Sequence, residues 1–308
     1  MNKFIRVLLI AFAGCLVLGG GLLIAGIALG GTWVDATVTF GNEEYDVYDM
    51  FDHGLFKFEG SAHDQEDSDT TEAMNELAET AEQITDLEMT LYSCELVVSA
   101  SEDDQIRLEI EDGMAKYFDV KRKDGELSIN DKRKTGKHLK AAHVKLQIPS
   151  DYVFDEVAIV LGAGDIKIER LAANDISIEG GAGNVEAEAL VAKNVLDAEI
   201  GAGDFYIKNG VFGDTDIECG VGHFEIESCE LNGDADISGG VGEVKIGIVG
   251  EQADFNYELS CGMGELSVFG DSYTSLGKDK EIDNGASYTI SLECGVGSVN
   301  VYQSGKSL

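Results

Sequence analysis

A Gly-x-Gly triplet recurs seven times in the C-terminal half of this chain and limits what it can fold into. The paired glycines are Gly162 and Gly164, Gly181 and Gly183, Gly201 and Gly203, Gly220 and Gly222, Gly240 and Gly242, Gly262 and Gly264, and Gly295 and Gly297. Successive first glycines are 19, 20, 19, 20, 22 and 33 residues apart. A period of that size denotes stacked supersecondary units. The triplets use 14 of the 38 glycines, so the glycine excess belongs largely to the repeat. With no Gly-X-Y period and Pro149 as the one proline, collagen and polyproline structures are excluded.

Aligning the repeats on the first glycine shows what stacks. Three residues before it stand Ile159, Ile178, Ala198, Ile217, Ile237, Leu259 and Leu292. Four and six residues after it the positions are again apolar in every repeat, from Ile166 and Ile168 to Val299 and Val301. The positions between are polar almost throughout, including Glu179, Glu199 and Glu218 before the corner and Asp165, Asn184 and Asp204 after it. Period-2 alternation on both sides of a glycine turn predicts two short strands per repeat, each with one face inward. Nineteen residues are too few for a strand, a crossover helix and both turns. The expected fold is therefore all-β, a β-solenoid of stacked two-strand coils of 19–20 residues with Gly-x-Gly corners. The 33-residue step predicts one coil carrying an extra loop near Gly270–Gly285.

The stack is expected to begin earlier. Leu87, Met89 and Leu91, then Tyr92-Ser93-Cys94, then Leu96 and Val98 follow the inward template with the glycines replaced. Strand-like runs follow at 105–110, 117–121, 126–129 and 143–148. Together these features resemble a bacterial β-strand-repeat family known as "putative adhesin": a degenerate leading strand pair, a strand ending in Ile148-Pro149, then Gly-Ala-Gly-Asp-Ile-Lys-Ile from Gly162. The resemblance covers about residues 84–302. It implies a β-repeat fold, an N-terminal membrane segment in many members, and genes beside envelope-stress regulators in some. It implies no catalytic residues.

Residues 7–31 carry no charge, follow Lys3 and Arg6, and precede a long acidic stretch. That length suits one transmembrane helix, and the flanking charges place the N-terminus, residues 1–6, in the cytoplasm with the remainder outside. A cleaved signal peptide is the main rival, but its apolar region is usually shorter. Residues 32–86 read as an acidic juxtamembrane linker, with a short amphipathic helix over 70–86 from Met74, Leu77, Ala81 and Ile84. The solenoid domain is expected over 87–308.

The formal charge of −36 excludes ordinary nucleic-acid binding, which needs a basic footprint. The charge is uneven: residues 35–88 carry −16, residues 146–308 carry −22, and residues 116–145 carry +6. Lys121, Arg122, Lys123, Lys132, Arg133 and Lys134 in that basic island are the candidate anion-binding patch, for lipid headgroups or wall polymer. Glu179, Glu199 and Glu218 should stack about 4.8 Å apart, each adjacent pair repelling by about 0.9 kcal/mol in water. Ca²⁺ at these residues, with Asp165 and Asp204 as a second ladder, is the one metal candidate. Otherwise the ladder is a solubilising face.

No dinucleotide fingerprint, Walker loop, nucleophile elbow or histidine metal spacing occurs. Cys219, Cys261 and Cys294 each precede a triplet on the inward side and read as small buried hydrophobes, with a disulfide between neighbouring coils geometrically open to the last two. The last inward residue, Val301, lies close to the C-terminus. The final coil, residues 291–302, is therefore expected to present an open edge covered by its tail, a second copy or a partner. The composite expectation is a single-pass cell-membrane protein displaying an acidic solenoid outside the cell, with no enzymatic activity and no resident cofactor. Its expected role is binding, scaffolding or adhesion at the envelope, to a polymer or a membrane protein. The alternative is an accessory sensor in envelope-stress signalling. A polysaccharide-active enzyme ranks third.

Overall fold

The computed structural model describes residues 37–40, 43–46, 76–80, 84–101, 103–111, 113–133, 140–273 and 280–305. The chain divides into two compact units, Met1–Glu72 and Ala73–Leu308. In the first, β1 (Thr37–Phe40) and β2 (Glu43–Asp46) pair antiparallel. The predicted span at 7–31 lies outside the described residues. Among those described, no helix is long and apolar enough to cross a membrane.

The second unit holds β3 (Glu76–Thr80), β4 (Asp86–Ser101), β5 (Gln105–Ile110), β6 (Phe118–Lys123), β7 (Glu126–Asp131) and β8 (Ala142–Pro149). It continues with β9 (Phe154–Ile168), β10 (Leu171–Leu231), β11 (Ala235–Val249), β12 (Phe255–Val268), β13 (Asp271–Tyr273), β14 (Lys280–Ile282) and β15 (Tyr288–Ser304). β9, β11, β12 and β15 are each one coil, a strand bent at its Gly-x-Gly corner. β10 is three such coils run together. Neighbouring coils pair in parallel, repeat on repeat: Ile178 lies beside Ile159, Ile217 beside Ile237, and Leu259 beside Leu292.

The period-2 pattern explains the core. All 21 inward positions of the seven repeats are at most 4 % exposed, and they join one continuous apolar cluster from Ile84 to Val301. Phe205 and Phe224, on successive coils, stack with ring centroids 4.9 Å apart. Burying a side chain of this size contributes about 1.5–3 kcal/mol, so the repeated row is the main source of cohesion. The corners are where the coils approach most closely. At Gly183, φ is +140° and an added Cβ would overlap the carbonyl oxygen of Gly164 on the preceding coil. Only glycine meets both conditions. The next two coils repeat the geometry. Gly203 sits on Gly183 and Gly222 sits on Gly203, so the second glycine of each corner in β10 makes the same close approach.

Two expectations need correction, the helix over 70–86 and the open edge at 291–302. The stretch read as an amphipathic helix over 70–86 contains β3, which pairs antiparallel with β5 from Glu76↔Glu109 to Thr80↔Gln105. Helical spacing of a few apolar residues lost to an available sheet edge, which supplies backbone hydrogen bonds that a short isolated helix must find alone.

The coils also do not stack in chain order. β15 lies between β11 and β12, paired in parallel with both, from Ala235↔Ile290 to Val249↔Ser304 on one side and from Phe255↔Tyr288 to Val268↔Val301 on the other. The other end shows the same inversion, because β4 lies between β9 and the pair β7 and β8, all parallel to it.

It follows that the coil over 291–302 has no open edge. The parallel stack ends at β12, whose outer side takes β14 along Tyr257–Leu259 and β13 along Leu266–Val268, both antiparallel. These strands come from the loop foreseen near 270–285. At the opposite end, β6 covers β7 and β5 covers β8, again antiparallel. Short antiparallel strands thus terminate both ends and limit unsatisfied sheet edges.

Candidate binding surfaces

Each coil has an arm before the corner and an arm after it, and their outward faces differ in chemistry. On the first arm, Glu179, Asp197, Glu199, Asp214, Asp216, Glu218, Asp234 and Asp236 take outward-facing positions on four consecutive coils. Among the described first arms from β9 to β15, no lysine or arginine occupies an outward position of the stretch leading into the corner. The acids act on one another. Partial burial, then Glu218 and Glu179, raise the Glu199 carboxyl above the usual range. Burial, then Asp216 and Asp197, do the same at Glu218. Part of the row is structural, since Asp214 accepts a hydrogen bond from the backbone N–H of Asp234 (3.1 Å) and Asp234 accepts one from that of Thr289 (2.8 Å).

The charged groups of the second arm are paired, some within a coil and some across neighbouring coils. Lys208 meets Glu188 at 2.6 Å, Lys245 meets Glu243 at 2.8 Å, and His223 lies between Glu225 (3.0 Å) and Glu243 (3.3 Å). Tyr206 donates to Glu227 at 2.6 Å. The second acidic ladder lies on this arm as a hydrogen-bonded chain. Asn184 donates through its backbone N–H (3.2 Å) and its Nδ2 (2.9 Å) to Asp165, and its own Oδ1 accepts from the Asp204 N–H (3.3 Å). Among the described residues, no three His, Cys, Asp or Glu side chains converge in a group able to hold a metal ion. Glu179, Glu199 and Glu218, one per coil, therefore assemble no ligand set for calcium, nor do Asp165 and Asp204.

The basic island divides in two. Lys121, Arg122 and Lys123 lie on β6, whose sheet partner among the described strands is β7 alone, so they charge an edge strand in the manner that discourages further pairing. Lys121 and Lys132 share Asp119, at 2.7 and 2.8 Å, and stay largely exposed. Lys134 lies outside the described residues.

Arg133 belongs elsewhere. Its side chain is 5 % exposed, against Asp131 at 0 %, and it is bound from every side. Nε donates to both Asp131 oxygens (2.9 and 3.0 Å), Nη1 to the Lys140 carbonyl (2.7 Å), and Nη2 to the Ser93 carbonyl (2.6 Å) and the Cys94 sulfur (3.6 Å). The backbone N–H of Tyr92 donates to Asp131 (3.3 Å). The anion-patch reading therefore fails at Arg133, because its guanidinium seals the corner Tyr92-Ser93-Cys94 that lacks glycine. Asp-x-Arg between two strands beside a glycine-free corner was the sequence signal for this.

Of the cysteines, Cys219 and Cys294 are buried as their inward positions required, and the backbone of Cys261 is in register with that of Cys294. Burial pushes the Cys219 thiol up to about 11 and the Cys229 thiol up to about 12, which removes both from thiolate chemistry near neutrality.

This arrangement defines a class, that of β-repeat domains built from glycine-cornered coils. The chain belongs to the Toastrack DUF4097 family, which matches residues 84–302. No curated protein matches it. Among solved structures it is similar to a "putative cell adhesion protein" from Clostridium sporogenes, at 14 % identity over 74 % of this chain and 99 % of that one, TM-score 0.31. It is also similar to a "putative adhesin" from Bacteroides fragilis, at 16 % identity over 73 % and 95 %, TM-score 0.40. A "putative lipid binding protein" from Parabacteroides distasonis matches at 16 % identity over 73 % and 95 %, TM-score 0.39.

Proposed function

We propose that this chain is a membrane-anchored protein of the cell envelope whose β-repeat domain binds an extended partner outside the cytoplasm without catalysing a reaction. The reading is supported chiefly by the first arm, which repeats one acidic chemistry coil after coil along a rigid parallel stack. A surface with a period of about 4.8 Å along the stack offers equivalent contacts at many registers. That favours a polymeric or elongated partner over a small molecule held in a concave site. Placement at the envelope is supported by the uncharged run at 7–31 behind Lys3 and Arg6.

The test is binding of the purified chain to isolated envelope polymers and envelope proteins, with a variant carrying Glu179→Gln, Glu199→Gln and Glu218→Gln. Salt-sensitive binding weakened by the triple substitution is the expected result. Equal binding by the two forms would remove the acidic arm from the interaction.

A further inference from the structure

The inverted order at the C-terminal end creates a feature that a regular solenoid lacks. In a regular stack, each coil is covalently continuous with both spatial neighbours, and removing the last one exposes one edge. Here β11 passes to β12 through residues 250–254 only, yet the two coils stand two strand spacings apart, about 9.6 Å, with β15 between them. Taking β15 out leaves the chain that precedes it continuous and exposes two parallel edges that face each other.

We infer that the interval between β11 and β12 is a strand-acceptor slot, and that β15 from a second copy of this chain can fill it, giving a strand-exchanged dimer.

The slot selects its occupant by shape. At Gly295 an added Cβ would lie 2.5 Å from the Gly240 carbonyl oxygen, and at Gly297, where φ is +145°, it would overlap that of Gly242. From the other side, Cβ atoms at Gly262 and Gly264 would press on the carbonyls of Gly295 and Gly297. A strand can enter only with Gly-x-Gly in that register. Its flanks must also supply apolar side chains where Ile290, Leu292, Val299 and Val301 are now buried. An ordinary extended peptide fails on both counts, whereas β15 of another copy meets both.

The connection allows the exchange. β15 is the last described strand of the domain and follows residues 269–287, whose described strands, β13 and β14, each pair with β12 over three residues. The return is held by a clasp of two asparagines. Asn256 Oδ1 accepts from the N–H groups of Asn284 (2.9 Å) and Ala286 (3.1 Å), and Asn284 Nδ2 donates to the Phe255 and Gln252 carbonyls. The contacts made by β15 are the same whichever copy supplies it. The balance therefore rests on the link and on concentration, with a tether of this length giving an effective concentration on the order of millimolar.

The experiment mixes ¹⁴N- and ¹⁵N-labelled full chain, refolds the mixture over a range of concentrations, and reads chemical crosslinks between β15 and β11 or β12 by mass spectrometry. Mixed-isotope crosslinks in a dimer fraction that rises with refolding concentration are expected. Same-isotope crosslinks alone at every concentration overturn the proposal. A second arm uses a labelled peptide of residues 287–305 with full chain carrying Gly297→Val, whose own strand cannot seat. Capture of the native peptide, and loss of capture when the peptide itself carries Gly297→Val, is the expected pair of results. Equal capture of both peptides overturns the shape selection. If the Gly297→Val chain fails to keep the exchange protection of its remaining coils, the isotope mixture decides alone.

Discussion

The corner of β4 and the seven corners that follow solve one packing problem by opposite means. In the repeats, backbone meets backbone, because glycine removes the Cβ atoms that would otherwise hold successive coils apart. At Tyr92-Ser93-Cys94 there is no glycine, and the adjoining coil opens into a separate corner around Asp131 and Arg133. There the backbone groups are satisfied by a buried ion pair. The glycine corner is repeatable, since each interior copy meets the same corner above and below. The ion-pair corner works once, at the boundary with the antiparallel strands, where nothing further is to be stacked in register. A repeat thus carries its interface in its own sequence, whereas a terminus needs a purpose-built one.

The largest effect expected from that contrast is at Arg133. Replacement by Met leaves the Asp131 carboxylate buried with its main partner gone, at a cost of about 3–5 kcal/mol. Chemical denaturation should show it as a fall in midpoint, and the pair Asp131→Leu with Arg133→Met should recover most of the loss. If the single variant is as stable as the parent, the ion pair does not hold the corner.

Next is Gly162→Ala, at the junction of the two corner types. Its Cβ would lie 2.7 Å from the Tyr92 carbonyl oxygen, and backbone on both sides limits relief. Overpacking of this kind costs about 1–3 kcal/mol. Hydrogen exchange should quicken at the β4–β9 contact before it does so between β10 and β11.

A smaller change of opposite sign is expected at Tyr257. Its ring is fully buried in β12 and, among the described residues, its hydroxyl has no hydrogen-bond partner, unlike the Arg133 cluster, where every guanidinium nitrogen donates to an acceptor. Tyr257→Phe removes that orphan and should stabilise by about 1 kcal/mol, seen as a rise in Tm. A fall would mean that the hydroxyl is satisfied in solution.

The smallest concerns the acidic arm. Burial and its neighbours raise the Glu199 carboxyl in the fold. Its contribution to stability is therefore full below the unfolded-state value near 4.5 and is lost as pH rises through the folded value. Glu199→Gln should lift Tm at pH 7, by an effect below about 1 kcal/mol because the group is partly solvated, and leave it unchanged at pH 4. Asp103 shows the opposite sign. Arg107 holds its carboxyl down to about 2, so its contribution is present above about 3.8 and is lost only as pH falls through about 2.

Much of the fold was legible in the chain. The 21 inward positions, the glycine corners, the degenerate first coil and the excursion near 270–285 follow from a period-2 alternation that has one physical solution when it repeats every 19 or 20 residues. Residues 76–80 were misread because a few apolar residues fit two periods, and the choice rested on the edge of β5. The buried role of Arg133 was hidden because a cluster of basic residues looks the same in sequence whether one of them faces water or an interior carboxylate.

The sequence by itself determined the coil: its two arms, its inward faces, its corner and the sign of its outward charge. These are local consequences of alternation and of the missing glycine Cβ. Only the tertiary structure decided the order in which coils stack. Every glycine-cornered coil presents nearly the same edges, so adjacency along the chain does not dictate adjacency in space. The choice falls to the ends, where β4 and β15 gain parallel partners on both sides and the short antiparallel strands take the exposed positions.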